Sequence, residues 1–163
     1  MPRHIKKSGY AYFITTRLDG NLSVFKDEVC CLLLLKDLDF YRKELNYQIY
    51  SFVIMPDHFH WIIHPSEKAE IALIMNKIKG HSSFIINKQL GRNGKLWQKG
   101  YHDHVIRNGK DFEEKANYIH KNPVRAGLAD KMEGYKFSSY MNYYSGDNKL
   151  IAIDVPKYSI LAK

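Results

Sequence analysis

Tyr47-Gln-Ile-Tyr-Ser-Phe-Val-Ile-Met55, Pro56-Asp57 and His58-Phe59-His60-Trp61-Ile62-Ile63-His64 form the stretch that decides the fold. The first segment is apolar on both faces, as an interior strand requires. Pro56-Asp57 then turns the chain. In the last segment side chains alternate between faces, so His58, His60, Ile62 and His64 share one side. Phe59, Trp61 and Ile63 share the other and can anchor the strand in a core. The opposite side presents two imidazoles two residues apart, close enough to bind one metal ion together. The arrangement predicts a rigid sheet that carries a metal on its open face.

Working outward, residues 9 to 17 are rich in aromatic and β-branched side chains and read as a first strand, with Asp19-Gly20-Asn21 as a turn. Residues 26 to 44 read as a helix with Arg42 and Lys43 in its last turn, where they suit the dipole. A second helix spans 67 to 89 until Gly91-Arg-Asn-Gly94 breaks it as an exposed basic loop. Residues 101 to 107 read as a fourth strand and Asn108-Gly109 as a turn. Asp111 and Glu114 resemble a capping box that opens a further helix. That helix should end near Pro123, because the residue before proline is biased away from helix. Beyond residue 130 the chain reads as a Tyr-rich docked tail. The order predicts an α+β chain with a ferredoxin-like split βαβ antiparallel sheet. Its two main helices would cover one face, and the extra helix would lie near the other.

The chain has 163 residues, 45% of them apolar, which fits one domain over 1–163 with a core of its own and a C-terminal tail over 141–163. The apolar run from Val29 to Leu35 is far too short to span a membrane. The basic start (Arg3, Lys6, Lys7) has no apolar stretch behind it, unlike a secretory signal. Adjacent Cys30 and Cys31 read as buried packing residues, which places the protein in a reducing cytoplasm. The net charge is +8, and Lys95-Leu-Trp97-Gln-Lys99-Gly-Tyr101-His102 interleaves cations with rings, a mixture that suits single-stranded nucleic acid.

Tyr118 and Asn122 are four apart on the extra helix and share a face. A Tyr hydroxyl is a nucleophile toward phosphorus once the developing charge is stabilised. A divalent ion on His58 and His60 could polarise a phosphate oxygen, with Asn122 as a third, oxygen ligand. Imidazole plus amide oxygen suits Mn²⁺ or Mg²⁺, although two histidines also take Zn²⁺.

Three stretches carry a resemblance: Phe52-Val-Ile-Met-Pro-Asp-His-Phe-His60, Leu96-Trp-Gln-Lys-Gly-Tyr-His-Asp-His-Val-Ile-Arg107 and Tyr118-Ile-His-Lys-Asn-Pro-Val-Arg-Ala-Gly127. In this order and spacing the chain resembles the single-tyrosine HUH transposases, especially the REP-associated tyrosine transposases. The resemblance implies a metal-dependent endonuclease and strand transferase acting on single-stranded DNA with a hairpin. Tyr118 would attack the scissile phosphate, leaving a 5′-phosphotyrosine and a free 3′-OH. His58 and His60 match the family's metal ligands, and Asn122 matches the third-ligand position. Arg92, Lys95, Trp97, Lys99, Tyr101, Arg107 and Arg125 are the candidates for contact with DNA. Related insertion-sequence enzymes act as dimers with exchanged helices and REP-associated relatives can be monomeric, so a homodimer is open.

Weaker readings stand beside these. Taken alone, His58 and His60 fit partly buried polar residues as well as ligands. His102 and His104 form a rival pair on the fourth strand, and His120, off the Tyr118 face, reads as exposed. A non-catalytic, domesticated hairpin-binding protein would need the charge and the rings but not the chemistry.

Overall fold

A computed structural model describes residues 9–157. Four strands form one antiparallel sheet in the order β2-β3-β1-β4. They are β1 (Tyr12–Arg17), β2 (Gln48–Met55), β3 (His58–His64) and β4 (His102–Val105). Helix α1 (Glu28–Leu45) links β1 to β2, and α2 (Ile71–Leu90) links β3 to β4. These six elements follow the predicted split βαβ order. Helix α3 (Gly109–Arg125) and the short α4 (Tyr140–Tyr144) complete the fold.

The sheet is sandwiched. On one side Phe52, Ile54, Phe59, Trp61 and Ile63 pack with Leu34, Leu38, Ile74 and Ile78 of α1 and α2. Trp61, Phe52 and Phe59 are fully buried, each stabilising the fold by about 1.5–3 kcal/mol through lost apolar surface. On the other side Val53 and Ile62 pack with Phe112, Ala116 and Ile119 of α3. The extra helix therefore covers the histidine face, as expected.

A bulge between Ile49 and Ser51 interrupts the β2–β3 register. The extra residue, Tyr50, changes which side each neighbour faces. Ile49 joins Phe52 and Ile54 in the α1–α2 core, and Ser51 meets His120 of α3 on the opposite side. The segment after α3 closes the outer edge of β2. Ile54 N donates to Phe137 O, and Ser139 N donates to Phe52 O at 2.9 Å. Asp154 N donates to Ile49 O, while Ile49 N donates to the Asp154 carboxylate. This covers backbone groups that a bare edge strand would expose.

Two expectations for α3 are corrected. Asn108, not Asp111, is its N-cap: the Asn108 side chain accepts from Asp111 N at 2.9 Å. Asp111 instead holds His104 and the Arg107 amide. Pro123 does not end the helix; it lies buried inside it, and α3 continues to Arg125. The cysteines pack as expected. Both are buried and free, and burial pushes the thiols up to about 11 at Cys30 and about 12 at Cys31. No helix among the described residues is long and apolar enough to cross a membrane.

Candidate active site

The histidine pair projects from β3 toward α3. The rings of His58 and His60 lie 4.8 Å apart between centroids. His58 Nδ1 contacts Asp57 Oδ1 at 2.6 Å, and His60 Nδ1 contacts Thr15 Oγ1 at 2.7 Å. Partners on Nδ1 fix ring orientation and leave Nε2 of each ring for a ligand. His60 Nε2 is buried and has no hydrogen-bond partner among the described residues. Burial, followed by the charges of His58, Arg17 and Arg125, pushes His60 down to about 3. Burial also lowers His58, partly opposed by Asp57. Both rings are thus neutral near pH 7, the form that binds a metal. An orphaned imidazole nitrogen beside a second imidazole fits a divalent cation. Among the described residues no cluster of three or more His, Cys, Asp or Glu side chains surrounds the pair.

Tyr118 reaches the pair from α3. Its ring stands edge-on to His60 at 5.4 Å and to Phe13 at 5.9 Å. The residue is 41% exposed, so its hydroxyl is within reach of a ligand. The Arg125 guanidinium sits 4.5 Å above the Tyr118 ring and donates to Tyr118 O at 2.9 Å. Arg125 is exposed and also raises the positive potential at His60. Asn122 is half-buried one turn beyond Tyr118.

Next to the pair, a cleft of about 440 Å³ opens between α3 and the sheet. Phe13, Thr15 and Arg17 of β1, His102 of β4, and Glu114 and Lys115 of α3 line it together with His60 and Tyr118. Register explains the gathering: Thr15 pairs with His60 on one side and His102 on the other. Sequence reasoning did not select Phe13, Thr15, Arg17, Glu114 or Lys115. Alternation along β1 puts its three residues on one face, and Glu114 lies one turn before Tyr118. Those were the available signals.

Other expectations change. Trp97 is not a platform for DNA: it is 4% exposed, packs on Phe25 and Phe59, and donates from Nε1 to Ser82 Oγ. Its loop pairs with the end of β1 through the Leu18–Trp97 bridge, which draws the indole inward. Tyr101 is half-buried against the same core. Arg92 bonds Asn87 at the end of α2 and Lys95 O in its own loop, and Lys95 lies 3.6 Å from Asp19. Lys99 and Arg107 are exposed. His104 pairs with Asp111 at 2.9 Å. His120 is not exposed: at 3% exposure it contacts Ser139 Oγ at 2.8 Å and Ser51 Oγ at 3.4 Å. The side of α3 away from Tyr118 is covered by the segment containing Ser139 and by Tyr140 and Tyr143.

Comparisons with known proteins agree with this geometry. The family model "Transposase IS200 like" matches residues 9–122. The REP-associated tyrosine transposase of Escherichia coli K12 is 25% identical over 101 residues, covering 61% of this chain and 58% of the relative. A Haemophilus influenzae protein provisionally given the same name is 27% identical over 104 residues, covering 58% and 59%. The match thus spans just under three fifths of each relative's length. A solved REP-associated tyrosine transposase bound to a REP hairpin superposes with a TM-score of 0.73 at 22% identity, covering 97% of this chain and 94% of that one. At that identity the likeness is one of fold. The family-model match extends over most of the chain and includes the His58–His60 pair and Tyr118: the chain belongs to the IS200-like transposase family.

Proposed function

We propose that the chain is a metal-dependent endonuclease and strand transferase for single-stranded DNA carrying a hairpin, with Tyr118 as nucleophile. The observation that carries this reading is Tyr118 standing 5.4 Å from His60, whose Nε2 is buried and unpartnered. The Tyr118 oxygen bonds to the scissile phosphorus while the P–O3′ bond breaks, leaving a 5′-phosphotyrosine and a free 3′-OH. Attack by a 3′-OH reverses the step and joins strands, so no external energy source is needed. His58 and His60 would hold Mg²⁺ or Mn²⁺, with the Asn122 amide oxygen as the third protein ligand. The ion, when bound, supplies charge that polarises a phosphate oxygen. Asp57 and Thr15 orient the two rings. Arg125, stacked on Tyr118, adds a fixed positive charge where a phosphate must approach.

Exposed Lys99 and Arg107 add to the basic surface that a DNA strand would follow. A homodimer with exchanged helices and a monomer are both compatible with this chemistry, since either places a Tyr118 beside a His58–His60 pair. Residues 1–163 act as one domain in the cytoplasm on this reading, with 141–163 as its tail.

The test is a denaturing gel of end-labelled hairpin DNA mixed with the protein, in Mn²⁺, in Mg²⁺ and in EDTA, beside Tyr118→Phe. Label should move onto wild-type protein only with metal, and not onto the variant, whose DNA binding stays within about twofold. Covalent capture by Tyr118→Phe would reject the nucleophile. Cut DNA with no adduct would indicate attack by water.

A further inference from the structure

The cleft beside the histidine pair has a composition that the chemistry above does not use. Arg17, His102, Glu114 and Lys115 project into or over it. None of the four side chains forms an ion pair or hydrogen bond among the described residues, and Arg17 and Lys115 act on Asp57 and Asp111 at longer range. Their neighbours behave differently: His104 is paired with Asp111 and His58 with Asp57. Three cationic or protonatable groups and one carboxylate are thus left facing a space of about 440 Å³, within the range of small-molecule pockets. Phe13 forms an apolar wall, stacked on His60 at 5.4 Å with the Lys115 ammonium 5.9 Å from its ring centroid.

We propose that this cleft is a subsite for one unpaired nucleobase, and that Glu114 selects bases carrying an exocyclic amino group. The inference rests on the single-stranded DNA reading and extends it to base selection. An ionised carboxylate only accepts hydrogen bonds, so it pairs with the amino group of cytosine, adenine or guanine and opposes a carbonyl at the same place, as in thymine. Arg17 and Lys115 meet the phosphates on either side of the base, and Phe13 contacts its apolar surface. Glu114 lies one helical turn before Tyr118, so a base held there has its phosphate close to the nucleophile.

The test measures equilibrium binding of the labelled tetranucleotides dC4 and dT4 at pH 7.5 in EDTA. These differ at the ring position where an amino group replaces a carbonyl. Wild type should prefer dC4 by about tenfold. Glu114→Ala should erase the preference by weakening dC4 while leaving dT4 within twofold. Lys115→Ala should weaken both equally and reduce the salt dependence by about 0.7 of a log–log slope unit. Equal binding of dC4 and dT4 by wild type, or a preference that survives Glu114→Ala, overturns the proposal. The assay needs neither metal nor cleavage. A Glu114-dependent preference in a protein that never forms an adduct would uphold the subsite and reject only the nuclease reading.

Discussion

Moving from pH 7.5 to 5.0 should cost the fold about 2 kcal/mol through His120 alone. Burial holds this ring down to about 4, against 6.5 for an ordinary histidine. The folded chain keeps the ring neutral where the unfolded chain protonates it. Between those two values the unfolded state binds more protons, so stability is complete above about pH 6.5 and drains away as pH falls toward 4. The full loss, below pH 4, is about 3 kcal/mol. The structural cause is specific: the ring is enclosed between β2 and the 137–143 segment, with Ser51 and Ser139 as its hydrogen-bond partners among the described residues. No carboxylate contributes to its shift. Urea unfolding of wild type and His120→Gln, at both pH values in EDTA, isolates the effect. Glutamine keeps an amide able to bond Ser139 and cannot titrate. His58 and His60 are the same in both proteins, so their titration cancels in the difference. The variant should lose about 2 kcal/mol less than wild type on acidification. Equal losses in the two proteins would refute a buried, neutral His120.

The core position of Trp97 predicts that Trp97→Ala destabilises the fold by about 3–5 kcal/mol, seen as a lower urea midpoint. DNA affinity, measured well below the transition, should change less than twofold; a specific loss of affinity at full stability would return Trp97 to the DNA surface. Cys30 and Cys31, buried with raised thiols, should resist a thiol-specific chromogenic reagent in the native protein and react together in guanidinium. Prompt labelling of the native state would show that the α1 packing is wrong. Ser139→Ala removes the oxygen that contacts His120 at 2.8 Å and accepts from Phe52 N at 2.9 Å. It should cost about 2–4 kcal/mol by leaving buried polar groups unpaired, checked by the same unfolding curves.

The architecture could be read because its signals are local. Alternation from His58 to His64, the doubly apolar β2 and the turn at Pro56-Asp57 are properties of adjacent residues, and they force a hairpin whose one face carries imidazoles. Element order placed the extra helix near that face, but its bearing Tyr118 against the histidine pair, among many tyrosines, needed the family resemblance. The parts that were missed depend on register between distant strands. Thr15 contacts His60 only because β1 pairs with β3 so that the two fall opposite each other. His102 enters the cleft only through the pairing of β4 with β1. His120 was misplaced for a related reason. Its angle on the helix was read correctly, but the segment that buries it is about twenty residues further along. Trp97 shows the opposite failure: a basic loop with an aromatic looks like a DNA surface until the Leu18 bridge turns the ring inward.

Pro123 joins the fold to the proposed chemistry. A proline inside a helix removes one backbone bond and costs about 3 kcal/mol in a helix interior, which is why the sequence pattern predicted a stop. The turn survives because its remaining bonds are made: Ala126 N donates to Asn122 O at 3.0 Å and Leu128 N donates to Pro123 O at 2.8 Å. Pro123 itself is buried, so apolar contact offsets part of the cost. The consequence lies two turns back. Only a helix that continues past residue 123 returns residue 125 to the side of residue 118, and the Arg125 guanidinium then rests on the Tyr118 ring. Had the helix ended at Asn122, Tyr118 would still reach His60, but the charge beside it would depend on a loose chain end. The buried proline and the stacked arginine are therefore two ends of one arrangement, in which α3 holds Tyr118, the proposed nucleophile, and the Arg125 cation together.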